Sequence, residues 1–346
     1  MTWSSSNKIA LLPLAVFVWA VPASAQAAEP SGASGNAPLL SLPITCDMTR
    51  DCSIQKYVDR ASGPERLDYR CGALTTDGHD GIDFRLRRPG DFNRDVKVVA
   101  AAAGTVLRVR DGMEDISVKD PAAPPLEGRL AGNGVVVAHG GGWETQYSHL
   151  KRGSVHVAAG DPVEAGAVLG AVGMSGNAEF PHLHFEVRHN GRIVDPFAAD
   201  DLEGCNKKEN SLWNVQADQS LPYRSTEILS AGFATTVQKA LGAYQEVKEP
   251  EVLIDPDIVL LWGISSGVQS GDVERFDIHD PRWGVILSRE TRISKNNLQR
   301  VGYAGLRRPV GGWIPGQYVG TYLLIRKGKI VGEVSARQDI SGSANQ

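Results

Sequence analysis

Positive charge is in short supply. The 36 Lys and Arg residues are outnumbered by 40 Asp and Glu, leaving a formal net charge of -4 over 346 residues. A general nucleic-acid or anionic-membrane binder needs clustered positive charge, so those partner classes are set aside. Long apolar runs are also missing. The most extended one, Ile9 to Val21, is interrupted by Pro13 and is shorter than the roughly 20 residues that span a bilayer. It follows Lys8 and ends at Ala23-Ser24-Ala25, the small-x-small pattern of a cleaved signal peptide. The expectation is a signal peptide over 1–25, export to a periplasm or into the medium, and a mature chain with no stable membrane anchor. Only four cysteines occur, Cys46, Cys52, Cys71 and Cys205, and they lack the paired C-x-x-C spacing of a four-thiolate zinc site. In an exported chain an even count points to disulfides, with three connectivities open. The favoured pairs are Cys46–Cys52, closing a short loop, and Cys71–Cys205, joining the ends of a long segment. The long loop would stabilise by about 4–5 kcal/mol in the chain-entropy model.

What is present is β texture. Residues 26–38 are rich in Ala, Ser, Gly and Pro, and 26–45 is expected as a flexible lead-in. Between Cys71 and Phe197, short β-branched runs recur at 96–99, 104–109, 135–137, 168–172 and 183–187, separated by glycines. Such spacing predicts an antiparallel β domain over 46–200 rather than β-α units. Asn190-Gly191 is a two-residue hairpin signal. Residues 111–132 are Pro-, Asp- and Gly-rich without periodicity and read as a long surface loop able to wall a groove. Ser225 to Tyr244 shows helical spacing in Ile228, Leu229, Phe233, Val237, Leu241 and Tyr244, so 201–250 is expected as a linker with a helical segment. The β texture returns over 251–340, predicting a small β-sandwich. Its tryptophans, with Trp262, Trp283 and Trp313, are expected in the core rather than as a sugar platform. No internal repeat is visible.

Three stretches carry metal-ligand residue types in turn-flanked settings. Gly78-His79-Asp80-Gly81-Ile82-Asp83 places an imidazole and a carboxylate four apart, and its glycines favour a turn entering a strand over a helix. In His182-Leu183-His184-Phe185-Glu186-Val187, strand alternation puts both histidines on one face and Leu183, Phe185 and Val187 on the other. Gln146-Tyr147-Ser148-His149-Leu150 ends another strand. Any one of these is common by chance, and a lone histidine at a strand end is more often structural. Their joint occurrence within one β domain is not. His139, His156, His189 and His279 sit in turn or loop settings and are assigned structural roles.

With Gly132 to Gly140, Gly160 to Gly166 and Val172 to Asn177, these stretches resemble the lysostaphin/LytM-type metallopeptidases from about Tyr69 to Phe197. The resemblance implies a LytM-like antiparallel β fold and one zinc ion per chain held by His79, Asp83 and His184. It also implies catalytic roles for His149 and His182, and a peptidoglycan peptide as substrate. Glu179-Phe180 before Pro181 departs from the family, whose members commonly carry small or polar residues there. Two neutral imidazoles and one carboxylate would leave a charge near +1 on the metal, enough to bring the pKa of a bound water toward about 7. No H-E-x-x-H glutamate exists, so His149 and His182 are the groups to move the proton and steady the oxyanion. Activity is expected to fall below about pH 6 as ligand and catalytic imidazoles protonate. The expected function is zinc-dependent hydrolysis of cross-links or stem peptides. The alternative is a non-enzymatic regulator of other wall hydrolases, a role some relatives have taken after losing ligands. The C-terminal sandwich carries no motif, and scaffold, wall targeting or docking of a cell-division or wall-synthesis partner are its open roles.

Overall fold

The computed structural model describes residues 36–199, 205, 210–242 and 252–342. The expected signal peptide, most of the charged stretch 200–210, the linker 246–250 and Tyr244 lie outside them.

The first part of the chain runs β1 (Cys52–Lys56), β2 (Ile82–Leu86), a 3-10 turn (Pro89–Arg94), β3 (Lys97–Val99), β4 (Gly104–Arg110), β5 (Asn133–Gly140), β6 (Trp143–Leu150), β7 (Pro162–Val163), β8 (Val168–Ala171), β9 (His182–His189) and β10 (Arg192–Ile193). The main sheet has the order β1-β2-β9-β6-β5-β4-β7, with β10 hairpinned onto β9 and β3-β8 forming a separate pair. Every described pairing in this part is antiparallel. Asn190, at φ 50°, and Gly191, at φ 75°, make the predicted β9–β10 turn, where both central residues need positive φ. Residues 111–132 contain no helix or strand, in agreement with the loop expectation.

Alternation sorts the side chains of the sheet. Phe84, Leu183, Phe185, Val187, Tyr147, Val135 and Val137 are all buried in one core. On the opposite face, register sets Lys56 across from Asp83, Asp83 across from His184, His184 across from Ser148, and Glu186 across from Gln146. Polar residues thus line one face of β1-β2-β9-β6 while apolar ones fill the other. The stretch 36–45 departs from a flexible lead-in. Leu40 and Ile44 belong to this core, and they bridge to Trp213 and Val98 respectively. Large apolar side chains at these two positions outweigh the small-residue composition before them. Both disulfides take the favoured pairing, Cys46–Cys52 and Cys71–Cys205.

The second part contains α1 (Val215–Ser220), β11 (Glu227–Ala234), α2 (Val237–Leu241), β12 (Val252–Ile254), β13 (Ile258–Val268), β14 (Val273–His279), β15 (Val285–Arg292), β16 (Asn297–Arg307), β17 (Gly316–Arg326) and β18 (Lys329–Ser341). A three-stranded sheet, β11-β13-β16, faces a five-stranded one, β12-β18-β17-β14-β15. Val259, Leu261, Phe276, Tyr318, Tyr322 and Ile340 fill the space between them. The predicted helical segment over 225–244 is corrected: Glu227–Ala234 is β11, and among the described residues only Val237–Leu241 is helical. Pairing of β11 along β13 overrides the helical spacing, and Gly232 lets the Trp262 ring lie where a Cβ would clash at 2.3 Å. The sandwich therefore begins at Glu227. Trp283 is also corrected, being 72 % exposed, whereas Trp313 is buried with its Nε1–H on the Pro256 carbonyl.

Candidate metal centre

The site is built on the polar face where β2, β9 and β6 lie side by side. Asp83 is the second residue of β2, and its carboxylate is almost fully buried. Its Oδ1 is 3.1 Å from His79 Nε2, 2.8 Å from His184 Nδ1 and 3.7 Å from His182 Nε2. Donor atoms of His79, Asp83 and His184 all lie within 4.8 Å of one another. Two imidazole nitrogens and one carboxylate oxygen, held this close by adjacent strands, fit a first-row divalent ion such as zinc.

Each imidazole is oriented from behind. His79 Nδ1 donates to the Tyr57 carbonyl at 2.9 Å, His182 Nδ1 to the Phe180 carbonyl at 2.9 Å, and His149 Nδ1 to the Ser175 carbonyl at 2.7 Å. All three therefore turn Nε2 toward the site. His149 reaches the site by a break in alternation. Ser148 already occupies the site face, and a left-handed φ of 61° at His149 brings its ring to 4.7 Å from that of His182 and 5.9 Å from that of His184. A non-glycine residue at such a φ costs of order 1 kcal/mol and is concentrated at functional sites.

Burial pushes the His149 pKa well below the usual histidine value, and the neighbouring His182 and His184 push the same way. Burial likewise lowers His182 to about 4, against the pull of Asp83. Both rings are neutral at pH 7. Burial also works against charge on His184, but hydrogen bonds to Asp80, Asp83 and Glu186 outweigh it and hold this ring well above the usual range. Burial opposes the charge on Asp83 too, yet the surrounding imidazoles hold its carboxyl well below the usual range.

All five residues singled out from the sequence are thus brought together. Three neighbours were missed. Lys56 places its Nζ 2.9 Å from Asp83 Oδ2, and only the β1–β2 register with its bulge reveals that. Glu186 and Asp80 approach His184 Nε2 at 3.3 and 3.2 Å. Both lie inside the quoted motifs, and the i, i+2 spacing of His184 and Glu186 on a strand was the available signal. His139, by contrast, is tied to Ala103 O and Thr145 Oγ1 away from this cluster.

The loop 111–132 flanks the His149 side. Asp115 accepts from the Met174 and Arg152 amides, and Val118 N donates to Ala178 O. A groove of about 550 Å³ runs between this loop and Gly176, lined by Met113, Ile116, Val118 and Leu126 with Arg110 and Arg129. The Glu179-Phe180 departure is anchored, with Glu179 paired to Lys119 and the Phe180 ring 4.4 Å from the Arg85 guanidinium.

Part of the chain matches a known protein family. Residues 77–196 match the family described as Peptidase family M23. The chain is similar to the DD-carboxypeptidase/endopeptidase Mpg of Neisseria meningitidis, 45 % identical over 65 residues, or 19 % of this chain and 14 % of that protein. It is also similar to the cell division protein DipM of Caulobacter vibrioides, 33 % identical over 112 residues, covering 32 % of this chain and 17 % of that one. The chain thus spans less than a fifth of the length of either relative. Among solved structures, the catalytic domain of lysostaphin from Staphylococcus simulans is 21 % identical with a TM-score of 0.28, covering 43 % of this chain and 90 % of that one. Mostly antiparallel β, with its polar cluster on one sheet face, the chain carries a domain of peptidase family M23 over residues 77–196.

Proposed function

We propose that this protein is a zinc-dependent endopeptidase that cuts peptide cross-links or stem peptides of bacterial peptidoglycan after export, most simply in a periplasm. The observation that carries the reading is the convergence of His79, Asp83 and His184 on one point, with two neutral imidazoles, His149 and His182, beside it. The name of the Neisseria relative, a carboxypeptidase and endopeptidase, supports the substrate class.

His79, Asp83 and His184 would hold the ion, which supplies Lewis-acid polarisation of a carbonyl and activation of water. The chain's own contribution is positional. His149 and His182 offer bare Nε2 atoms in a nearly water-free setting, each ring fixed by its Nδ1–H bond to a carbonyl. One can take a proton from the attacking water at Nε2 and, so charged, pass it to the leaving amine as the peptide bond breaks, while the other, still neutral, can hold that water by accepting its second hydrogen. The loop 111–132 is proposed to wall the substrate groove beside His149, and the C-terminal sandwich to brace the domain and dock a wall or division partner.

Zinc content and release of soluble fragments from purified peptidoglycan, for wild type and His184→Ala, test the proposal. About one zinc per chain, lost with fragment release in the variant, is expected. Zinc uptake without any fragment release would favour a regulator instead.

A further inference from the structure

Three of the four histidines in the cluster share one device, and the fourth breaks it. In His79, His149 and His182 a backbone carbonyl takes the Nδ1 hydrogen and Nε2 faces the site. In His184 the ring is reversed: Nδ1 faces Asp83 Oδ1 at 2.8 Å, and Nε2 faces away. A neutral imidazole carries one hydrogen, and the nitrogen that binds a metal is the bare one. His184 must then keep its hydrogen on Nε2, where the contacts are carboxylate oxygens, Asp80 Oδ1 at 3.2 Å and Glu186 Oε1 at 3.3 Å.

These two acceptors are not equivalent. The Asp80 side chain is 54 % exposed, and that of Glu186 only 7 %. Water competes for the first and barely reaches the second. Glu186 is also clamped. Gln146 Nε2 donates to Oε1 at 2.6 Å, Arg188 Nη1 to Oε2 at 2.7 Å, and Arg188 Nη2 in turn donates to Gln146 Oε1 at 2.8 Å. The clamp follows from register, because Gln146 lies directly across from Glu186 and Glu144 across from Arg188.

Resting on the zinc reading, we infer that Glu186 is a positioning residue that fixes the tautomer and orientation of His184, with Arg188 and Gln146 holding Glu186 in turn. It acts on the metal through His184 and does not itself touch substrate. Carboxylates behind a ligating imidazole raise its basicity and fix its ring, and their loss typically costs 10–100-fold in metal affinity. Asp80, His184 and Glu186 also lie close enough to suggest a second cation site. The Arg188 guanidinium on Glu186 argues against it, since it already neutralises the negative charge that the carboxylate would offer a second ion.

The test is zinc affinity, measured by competition with a chromophoric chelator at pH 7.5, on the full chain. Wild type is compared with Glu186→Leu, Glu186→Gln and Asp80→Asn. Glu186→Leu should bind zinc about 10–100-fold more weakly. Glu186→Gln keeps an oxygen acceptor and should recover most of that loss, and Asp80→Asn should change affinity by less than about 3-fold. Long-range proton–nitrogen NMR spectra of zinc-loaded wild type, which require no variant to fold, should show His184 bound through Nδ1 with hydrogen on Nε2. Unchanged affinity in Glu186→Leu, coordination through Nε2, or two zinc ions per chain would overturn the inference while leaving a zinc enzyme in place. A wild-type chain that takes up no zinc would overturn the metal reading and this inference with it.

Discussion

At the residue scale, the site is a contest between burial and hydrogen bonding, and its outcome differs from ring to ring. Burial wins at His182, lowered to about 4, and at His149, lowered well below the usual value. Both stay neutral well into acid. At His184 the carboxylates win, so in the metal-free chain protons compete with metal for this ring near neutral pH. This alters the sequence-based expectation that ligands and catalytic imidazoles protonate together below about pH 6. Lowering pH would then displace a bound metal first and charge His182 only near 4. Profiles of kcat/KM against pH at two zinc concentrations separate the steps. The acid limb should move to lower pH as zinc is raised. A limb that stays near pH 6 at saturating zinc would show that the buried imidazoles titrate there instead. The residue types and their spacing were visible in the sequence, and the grouping of His79, Asp83 and His184 as a ligand set came from the family resemblance. The tautomer of each ring was not visible there, since it depends on carbonyls of Tyr57, Ser175 and Phe180, which sequence reasoning does not place.

At the scale of elements, the close approach of β2 to β9 is what brings Asp83 against His184, and Gly81 permits it. A Cβ at Gly81 would lie 2.7 Å from Phe185 O and 2.8 Å from His184 Cε1 and Nε2. Gly81→Ala must therefore push the strand or turn the ring. Overpacking of this kind costs about 1–3 kcal/mol, and the displaced imidazole should weaken zinc binding by about 10-fold. Thermal unfolding and chelator competition measure the two effects, and normal values for both would mean that β2 and β9 part freely. Strands with alternating or β-branched character, such as β9, were readable from sequence. β11 was not, because Ile228, Leu229 and Phe233 also satisfy a helical period, and long-range pairing with β13 decides between the two. Lys56 escaped notice for a related reason. Its place opposite Asp83 depends on a bulge between Ile54 and Lys56.

At the scale of the whole molecule, the two β-rich parts are joined more firmly than a linker suggests. Arg87 Nη2 pairs with Glu227 Oε1 at 2.6 Å, and Arg85 Nη1 donates to Gln299 Oε1 at 2.6 Å and to Gln55 Oε1 at 2.8 Å. Both arginines are buried; Arg85 lies in the strand that carries Asp83, and Arg87 follows directly after it. Trp213 packs its ring 6.3 Å from Phe84 and 5.8 Å from Phe185, behind the strands of the site. A chain ended at residue 200 would lose Trp213, Leu212 and Leu221 from the first core and remove the Glu227 carboxylate that pairs with buried Arg87. Loss of one large core aromatic alone costs about 3–5 kcal/mol. Such a truncation should be insoluble or unfold at markedly lower temperature, whereas a stable, zinc-binding fragment would show that the sandwich is a detachable module. Domain texture was visible in the sequence, but this junction was not, because it is made by single long side chains reaching between distant strands.

The central claim is that the five converging residues form a one-zinc peptidase site. Zinc content and peptidoglycan fragment release, measured side by side for wild type and His184→Ala, address it most directly. The account predicts about one zinc per chain and released fragments for wild type, with both lost in the variant. Fragment release that survives in a zinc-free His184→Ala chain would contradict it.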